Sequence, residues 1–335
     1  VQPAPVAPVA EPSLSALTTL IAADLAAMDA TIQTALSSKA PLIPQLARHI
    51  IDAGGKRIRP MLTLACARLC DYTGQYHINL AACVEYIHTA TLLHDDVVDG
   101  SSLRRGQPSA NAVWDNKASV LVGDFLFARA FELMVGSGSL HVLDILARAS
   151  SLIAEGEVLQ LASTRNLHTT EAHYLAVIRG KTAGLFAAAC QVGGALAAVT
   201  PEAEQALADF GMHLGTAFQL TDDALDYAAD SDHLGKHIGD DFREGKVTLP
   251  VILAWQQGNA DERAFWERTI GRLEQTEADL EHAVTLLHRH GTLTETLARA
   301  RQACADAERC LLTFPDSPAR LALLETLAFV DARRY

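Results

Sequence analysis

Residues 78–99, INLAACVEYIHTATLLHDDVVD, and residues 201–230, PEAEQALADFGMHLGTAFQLTDDALDYAAD, repeat apolar side chains at three- and four-residue spacings and carry the same acidic pattern. The spacing predicts two long helices. At 3.6 residues per turn, Asp95 and Asp99 share one face and Asp96 lies about 100° round from the first; Asp222, Asp223 and Asp226 repeat the arrangement. Each triad directs three carboxylates toward one patch, where mutual repulsion calls for cations. Hard oxygen donors at that density suit Mg²⁺, which takes one or two carboxylates, retained waters and phosphate oxygens. A solvated acidic face would account for one such cluster. It accounts poorly for two, because Thr91-Leu92-Leu93 and Phe218-Gln219-Leu220 precede them, as at the rim of a helix-lined cavity. The second cluster begins 127 residues after the first (222 − 95), which suits two helices facing across a bundle.

Outward from these segments, apolar residues keep helical spacing from Leu14 onward, and no alternation is long enough for a strand. The chain reads as all-α: a single-domain helical bundle around a central apolar cavity, covering 13–335. Helices are expected over about 13–37, 42–53, 59–70, 78–99, 116–135, 139–164, 170–198 with a break, 201–230, 247–257, 261–271, 275–290, 292–312 and 316–331. Residues 1–12, rich in Pro and Ala without a basic or apolar signal region, read as a disordered lead-in. The 335 residues, 49% hydrophobic and 20% charged, can bury a large core. A net charge of −13 argues against general nucleic-acid binding. No apolar stretch approaches the roughly 20 residues of an uninterrupted membrane span. Six cysteines without zinc-type pairs read as free core thiols of a cytoplasmic, reducing compartment.

Cations cluster around the acidic segments. Gly54-Gly55-Lys56-Arg57-Ile58-Arg59-Pro60 combines a free backbone, three cations and a proline suited to a first helical turn. It reads as an anion cradle for a diphosphate, although a basic helix-capping turn would also explain it alone. Arg104 and Arg105 follow the first triad, and Gly235-Lys236 and Gly245-Lys246 follow the second, with Lys181-Thr182 opening a small-residue run. They could contact phosphate or be solvated loop charges.

These motifs resemble those of the all-trans polyprenyl diphosphate synthases, especially the long-chain octaprenyl and decaprenyl type. The likeness rests on GGKRIRP (54–60), EYIHTATLLHDDVVDGSSLRRG (85–106), SVLVGDFLFARAFELM (119–134), GEVLQ (156–160), KTA (181–183), FQLTDDALDY (218–227) and GKHIGDDFREGKVTLP (235–250). The resemblance implies that Asp95, Asp96, Asp99, Asp222, Asp223 and Asp226 hold Mg²⁺, three ions with substrate bound, against an allylic diphosphate. It assigns Arg104, Lys181 and Lys236 to that diphosphate, and Lys56, Arg57 or Arg59, His88 and Arg105 to the diphosphate of isopentenyl diphosphate. Gln160, Thr182 and Gln219 would line the space between, and Lys246 would assist. A homodimer is also implied, with the 119–134 helix as contact.

Product length should follow the depth of the apolar shaft below the first triad. Ala90 and Thr91, one turn before Asp95, are too small to block it, whereas short-chain relatives typically carry an aromatic there. Phe131, Met134 and Leu146 are candidates for a deeper floor, or ordinary core. A terpene cyclase would normally replace the second DDxxD with an Asn/Ser/Glu pattern. A non-catalytic partner subunit would usually lose one acidic cluster or the basic turn, and a plain helical interaction protein would need neither.

Overall fold

The computed structural model describes residues 12–227 and 239–332. The expected Lys236 and Gly235, most of the 1–12 lead-in and Arg333-Arg334 lie outside the described residues. Helices α1 (Ser15–Leu20), α2 (Ala22–Ala35), α3 (Leu42–Asp52), α4 (Ile58–Leu69) and α5 (Tyr76–Val98) come first. A hairpin of β1 (Leu103–Arg104) and β2 (Gln107–Pro108) and the short α6 (Ala110–Val113) lead to α7 (Asn116–Gly136), α8 (Leu140–Ser163) and α9 (Glu171–Ile178). A π turn, Arg179–Ala183, joins α9 to α10 (Gly184–Leu196), which precedes α11 (Pro201–Leu225). Then come α12 (Asp240–Glu244), α13 (Leu249–Gln257), α14 (Ala260–Trp266), α15 (Glu277–Arg289), α16 (Thr292–Leu311) and α17 (Pro318–Asp331).

Side chains close many helix starts. Ser139, Thr170, Thr200 and Ser317 each accept a hydrogen bond from the third backbone N–H of the following helix, and Asn259 and Thr276 form reciprocal capping boxes with Glu262 and Asp279. The two triad-bearing helices occupy the interior: α11 packs along α10 and α16, and α5 packs against α7, α4 and α2. One extended core spans α1 to α8, α10, much of α11 and α17. A second gathers Leu220, Tyr227, Phe242, Trp266 and Leu286 around α13. Among the described residues no helix is long and apolar enough to cross a membrane.

The all-α reading holds, with local corrections. The expected 13–37 helix breaks at Ile21, whose φ of −111° and ψ of 17° leave the helical well. The 201–230 helix ends at Leu225, and Asp226 N–H closes it on the carbonyl of Asp222. Leu103 to Pro108, read as a loop, is an antiparallel hairpin with Arg104 opposite Gln107. Its two-residue turn, Arg105-Gly106, has φ of 53° and 75°, the paired positive φ of a tight hairpin turn.

Candidate active site

The C-terminal turns of α5 and α11 open onto one cavity of about 660 Å³, lined by Asp95 and Asp99 from the first triad and by Asp222, Asp223 and Asp226 from the second. Asp96 is the exception. It is fully buried and accepts from Arg104 Nε at 2.9 Å, with Arg104 Nη2 paired to the same oxygen. Burial raises the Asp96 pKa, and Arg104 opposes that rise. The hairpin turns Arg104 back onto the helix, and Asn111 Nδ2 ties the same corner down by donating to the Asp96 carbonyl at 3.2 Å. Asp96 therefore stands outside the cavity wall on which it was expected, while Arg104 lines that wall and its pairing with Asp96 fixes the end of α5.

In the second triad, Asp223 is 4% exposed and engages neutral donors on both oxygens: Tyr174 Oη at 2.6 Å and Gln219 Nε2 at 2.7 Å. Gln219 Oε1 in turn accepts from Thr182 Oγ1 at 2.9 Å. Burial, with Asp241 and Asp222 nearby, pushes Asp223 up to about 7 against the pull of those hydrogen bonds. Asp226 Oδ2 accepts from the backbone N–H of Asp241 at 3.0 Å, which carries α12 to the rim.

Two lysines stand among these carboxylates. Lys181 Nζ lies 2.8 Å from Glu157 and 3.6 Å from Asp95 Oδ2. Its position depends on the π turn, a feature that often marks functional positions. The turn lies so close to α8 that a Cβ on Gly180 would come within 3.1 Å of Gly156 Cα. Lys246 Nζ donates to Asp99 Oδ2 at 3.1 Å and also pairs with Glu244. Burial opposes its charge, but Asp241, Asp99 and Glu244 outweigh that cost and raise its pKa. Glu157 is pushed up to about 7 by burial and Asp95, with Lys181 opposing.

The basic turn forms another wall. Arg57 adopts the left-handed conformation at the start of α4 and pairs with Asp29. Arg59 lies with its guanidinium 4.4 Å from the Phe186 ring centroid and its Nη1 3.3 Å from His88 Nε2. Burial lowers Arg59 to about 10, still charged at neutral pH. His88 is held well below its ordinary value by burial and then by Arg59, Arg105 and Arg104, so it stays neutral and accepts from Arg59. Lys56, Arg57, Arg59, His88, Arg104, Arg105, Gln160, Lys181, Thr182, Gln219 and Lys246 all line this cavity. The apolar part of the wall includes Leu92, Val177, Ile178, Phe186 and Phe218, with the last two rings 5.6 Å apart.

The lining carries ten carboxylates and seven lysines and arginines. Among the described residues no three acidic, His or Cys side chains already stand close enough to hold a metal ion. Instead the ammonium groups of Lys181 and Lys246 face Asp95 and Asp99. An acidic excess of hard oxygen donors around space for a phosphate is a lining that fits magnesium, and Asp95, Asp99, Asp222, Asp223 and Asp226 are the triad carboxylates that face the cavity.

The polyprenyl synthetase family profile matches residues 40–287. The chain belongs to the polyprenyl synthetase family. It is 47% identical to the octaprenyl diphosphate synthase of Escherichia coli, over 96% of this chain and 99% of that one. Among solved structures, it resembles a Caulobacter crescentus polyprenyl synthase complexed with calcium and isoprenyl diphosphate, with a TM-score of 0.94 and 51% identity over 98% and 100% of the two chains. A decaprenyl diphosphate synthase from Rhodobacter capsulatus gives a TM-score of 0.93 and 53% identity, over 96% of this chain and 99% of that one.

For a polyprenyl synthetase, the residues expected to set product length divide unevenly here. Thr91 lines the cavity; Ala90, Met134 and Leu146 are fully buried and do not. Phe131 is 42% exposed on α7, beside Phe127, and is not part of the cavity wall. His94 packs over Gly123 and hydrogen-bonds the Val120 carbonyl at 3.2 Å. Reasoning from sequence assigned no role to Glu85, Glu157, Tyr174, Phe186 or Glu244, all of which line the cavity. Glu85 and Glu157 stand inside motifs already singled out, one turn before His88 and three residues before Gln160, so helical neighbourhood could have found them.

Proposed function

We propose that this polyprenyl synthetase family member is a Mg²⁺-dependent long-chain enzyme that elongates an allylic diphosphate by successive head-to-tail condensation with isopentenyl diphosphate. The primer is farnesyl or geranylgeranyl diphosphate, and the product is octaprenyl or decaprenyl diphosphate, destined for quinone side chains. The observation that carries this reading is the meeting of five of the six triad carboxylates on one cavity that also has a basic wall, which offers a place for each diphosphate. Identity to the Escherichia coli octaprenyl diphosphate synthase supports the long-chain assignment.

Bond making begins with heterolysis of the allylic C–O bond, which leaves a delocalised carbocation and puts negative charge on the departing diphosphate. Bound magnesium supplies charge neutralisation at those phosphate oxygens. Lys181 exchanges its Glu157 and Asp95 partners for the diphosphate, and Lys246 is positioned to do the same from Asp99. Tyr174 and Gln219 hold Asp223 in one orientation, and Thr182 holds Gln219. Leu92, Val177, Ile178, Phe186 and Phe218 keep water from the cation. Lys56, the three arginines of the basic wall and neutral His88 orient isopentenyl diphosphate so that its double bond attacks. The proton released as the new alkene forms goes to the departed diphosphate.

Exposed Val120, Leu121, Phe131 and Val135 on α7, with Leu152, Val158, Leu159 and Leu161 on α8, support a homodimer through this face. The six free cysteines, four of them buried, suit a reducing cytoplasm. An assay with farnesyl and isopentenyl diphosphates, with and without Mg²⁺, tests the reading. Metal-dependent release of diphosphate with a long-chain product is expected, and a cyclised hydrocarbon or no turnover would overturn it.

A further inference from the structure

Three guanidiniums of the basic wall share the cavity with a buried carboxylate to which the mechanism above gives no task. Glu85 lies on α5 one turn before His88, is 6% exposed, and lines the cavity. Its Oε2 has no hydrogen-bond partner. Burial raises its pKa, while Arg57, Arg59 and Arg105 act together to lower it. The influence is mutual: Glu85 is the group that most offsets the burial of both Arg59 and Arg105. Arg57 is also paired with Asp29, from outside the pocket.

The neighbours fix each guanidinium closely. Arg59 is held over the Phe186 ring and against His88. Arg105 rests against bare backbone, because a Cβ added to Gly55 would lie 2.7 Å from its Nη2. Like charges gathered in this way repel one another before any substrate arrives, and a buried anion among them counters that repulsion. An anion-binding pocket that is assembled in advance spends less of its binding energy on ordering itself.

We propose that Glu85 is a positioning residue of the isopentenyl diphosphate pocket, its buried carboxylate keeping Arg57, Arg59 and Arg105 converged on the cavity until the substrate diphosphate enters. This rests on reading the basic wall as the isopentenyl diphosphate site. Glu85 itself touches no reacting atom.

The test compares wild type with Glu85→Gln, Glu85→Asp and Gly55→Ala, using steady-state kinetics for each substrate and calorimetric binding of isopentenyl diphosphate alone. Glu85→Gln keeps size and removes charge; it is expected to raise both KM and Kd for isopentenyl diphosphate by about tenfold or more. KM for the allylic diphosphate is expected to stay within about twofold, since Asp95 and Asp99 lie about 15 Å or more further along α5 and Lys181 and the second triad stand on other elements. Glu85→Asp is expected to recover part of the loss. Gly55→Ala, which displaces Arg105 with Glu85 intact, is expected to reproduce the same selective rise, and it keeps the test open should Glu85→Gln fold poorly. Unchanged or tighter isopentenyl diphosphate binding in Glu85→Gln would overturn the proposal, as would an equal rise in both KM values. Wild type is measured first: if it binds no isopentenyl diphosphate, the functional reading itself fails, whereas normal wild-type binding with an unaffected Glu85→Gln sinks only the role of Glu85.

Discussion

Replacing Asp223 by Asn is expected to stabilise the metal-free, substrate-free protein, and increasingly so as pH rises. An ordinary Asp titrates near 3.8, whereas burial beside Asp241 and Asp222 raises Asp223 to about 7, against the hydrogen bonds from Tyr174 and Gln219. Between those values the folded state binds more protons than the unfolded chain, so stability falls as pH climbs from about 4 to about 7. Integrated from about pH 5.5 to about pH 7.5, this one carboxylate costs about 2 kcal/mol. An unfolding entropy of roughly 2.1 cal/mol/K per residue converts that loss to about 3 °C in Tm for a chain of this length. The Asn variant has no carboxylate to titrate, so its Tm relative to wild type is expected to rise by about 3 °C over that pH interval. His88, which burial lowers, favours stability in the opposite sense as pH rises, and Glu157 behaves like Asp223; both are common to the two proteins and cancel in the difference. Scanning calorimetry of both proteins in EDTA at several pH values in this window is the assay. A difference that stays constant or shrinks with pH would mean that Asp223 titrates as a solvated carboxylate, refuting the electrostatic picture of the second triad. Adding Mg²⁺ and a non-cleavable allylic diphosphate is expected to stabilise wild type more than the variant, because ligands favour the state that binds them.

Arg104→Ala leaves Asp96 buried without its cation and is expected to destabilise by about 3 kcal/mol or more in chemical denaturation, with Arg104→Lys recovering only part. Lys246→Gln removes the cation shared by Asp99 and Glu244; kcat/KM for the allylic substrate is expected to fall by about 10²-fold, read by diphosphate release. Thr91→Phe, on the cavity wall, is expected to shorten the product on reversed-phase chromatography while Tm changes little. Ala90→Tyr must also displace packed core, so its shortening is expected to come with about 1–3 kcal/mol of destabilisation.

The helices and both triads were legible because they depend on local spacing, which the chain states directly from Leu14 to Asp331. What escaped was set by contacts distant in sequence or by unusual turns. Helical projection sets Asp96 about 100° round from Asp95, near enough to be read toward the same patch; it is the Arg104 pairing across a hairpin that holds it inward. That hairpin hides behind an Arg-Gly turn in place of the Asn-Gly that normally signals one. Tyr174 carries no local mark of its bond to Asp223, 49 residues away. The floor residues show a further limit: α7 is apolar on more than one side, so periodicity could not say whether Phe131 faced the cavity or the exterior.

The proposed chemistry requires the two triads to grip one diphosphate through magnesium, and a crystal structure with Mg²⁺ and a non-cleavable farnesyl diphosphate analogue tests that most directly. We expect metal between Asp95 and Asp99 on one side and the second triad on the other, with Lys181 moved from Glu157 onto the diphosphate. Analogue bound elsewhere, or Lys181 still paired with Glu157 and no metal at either triad, would contradict it.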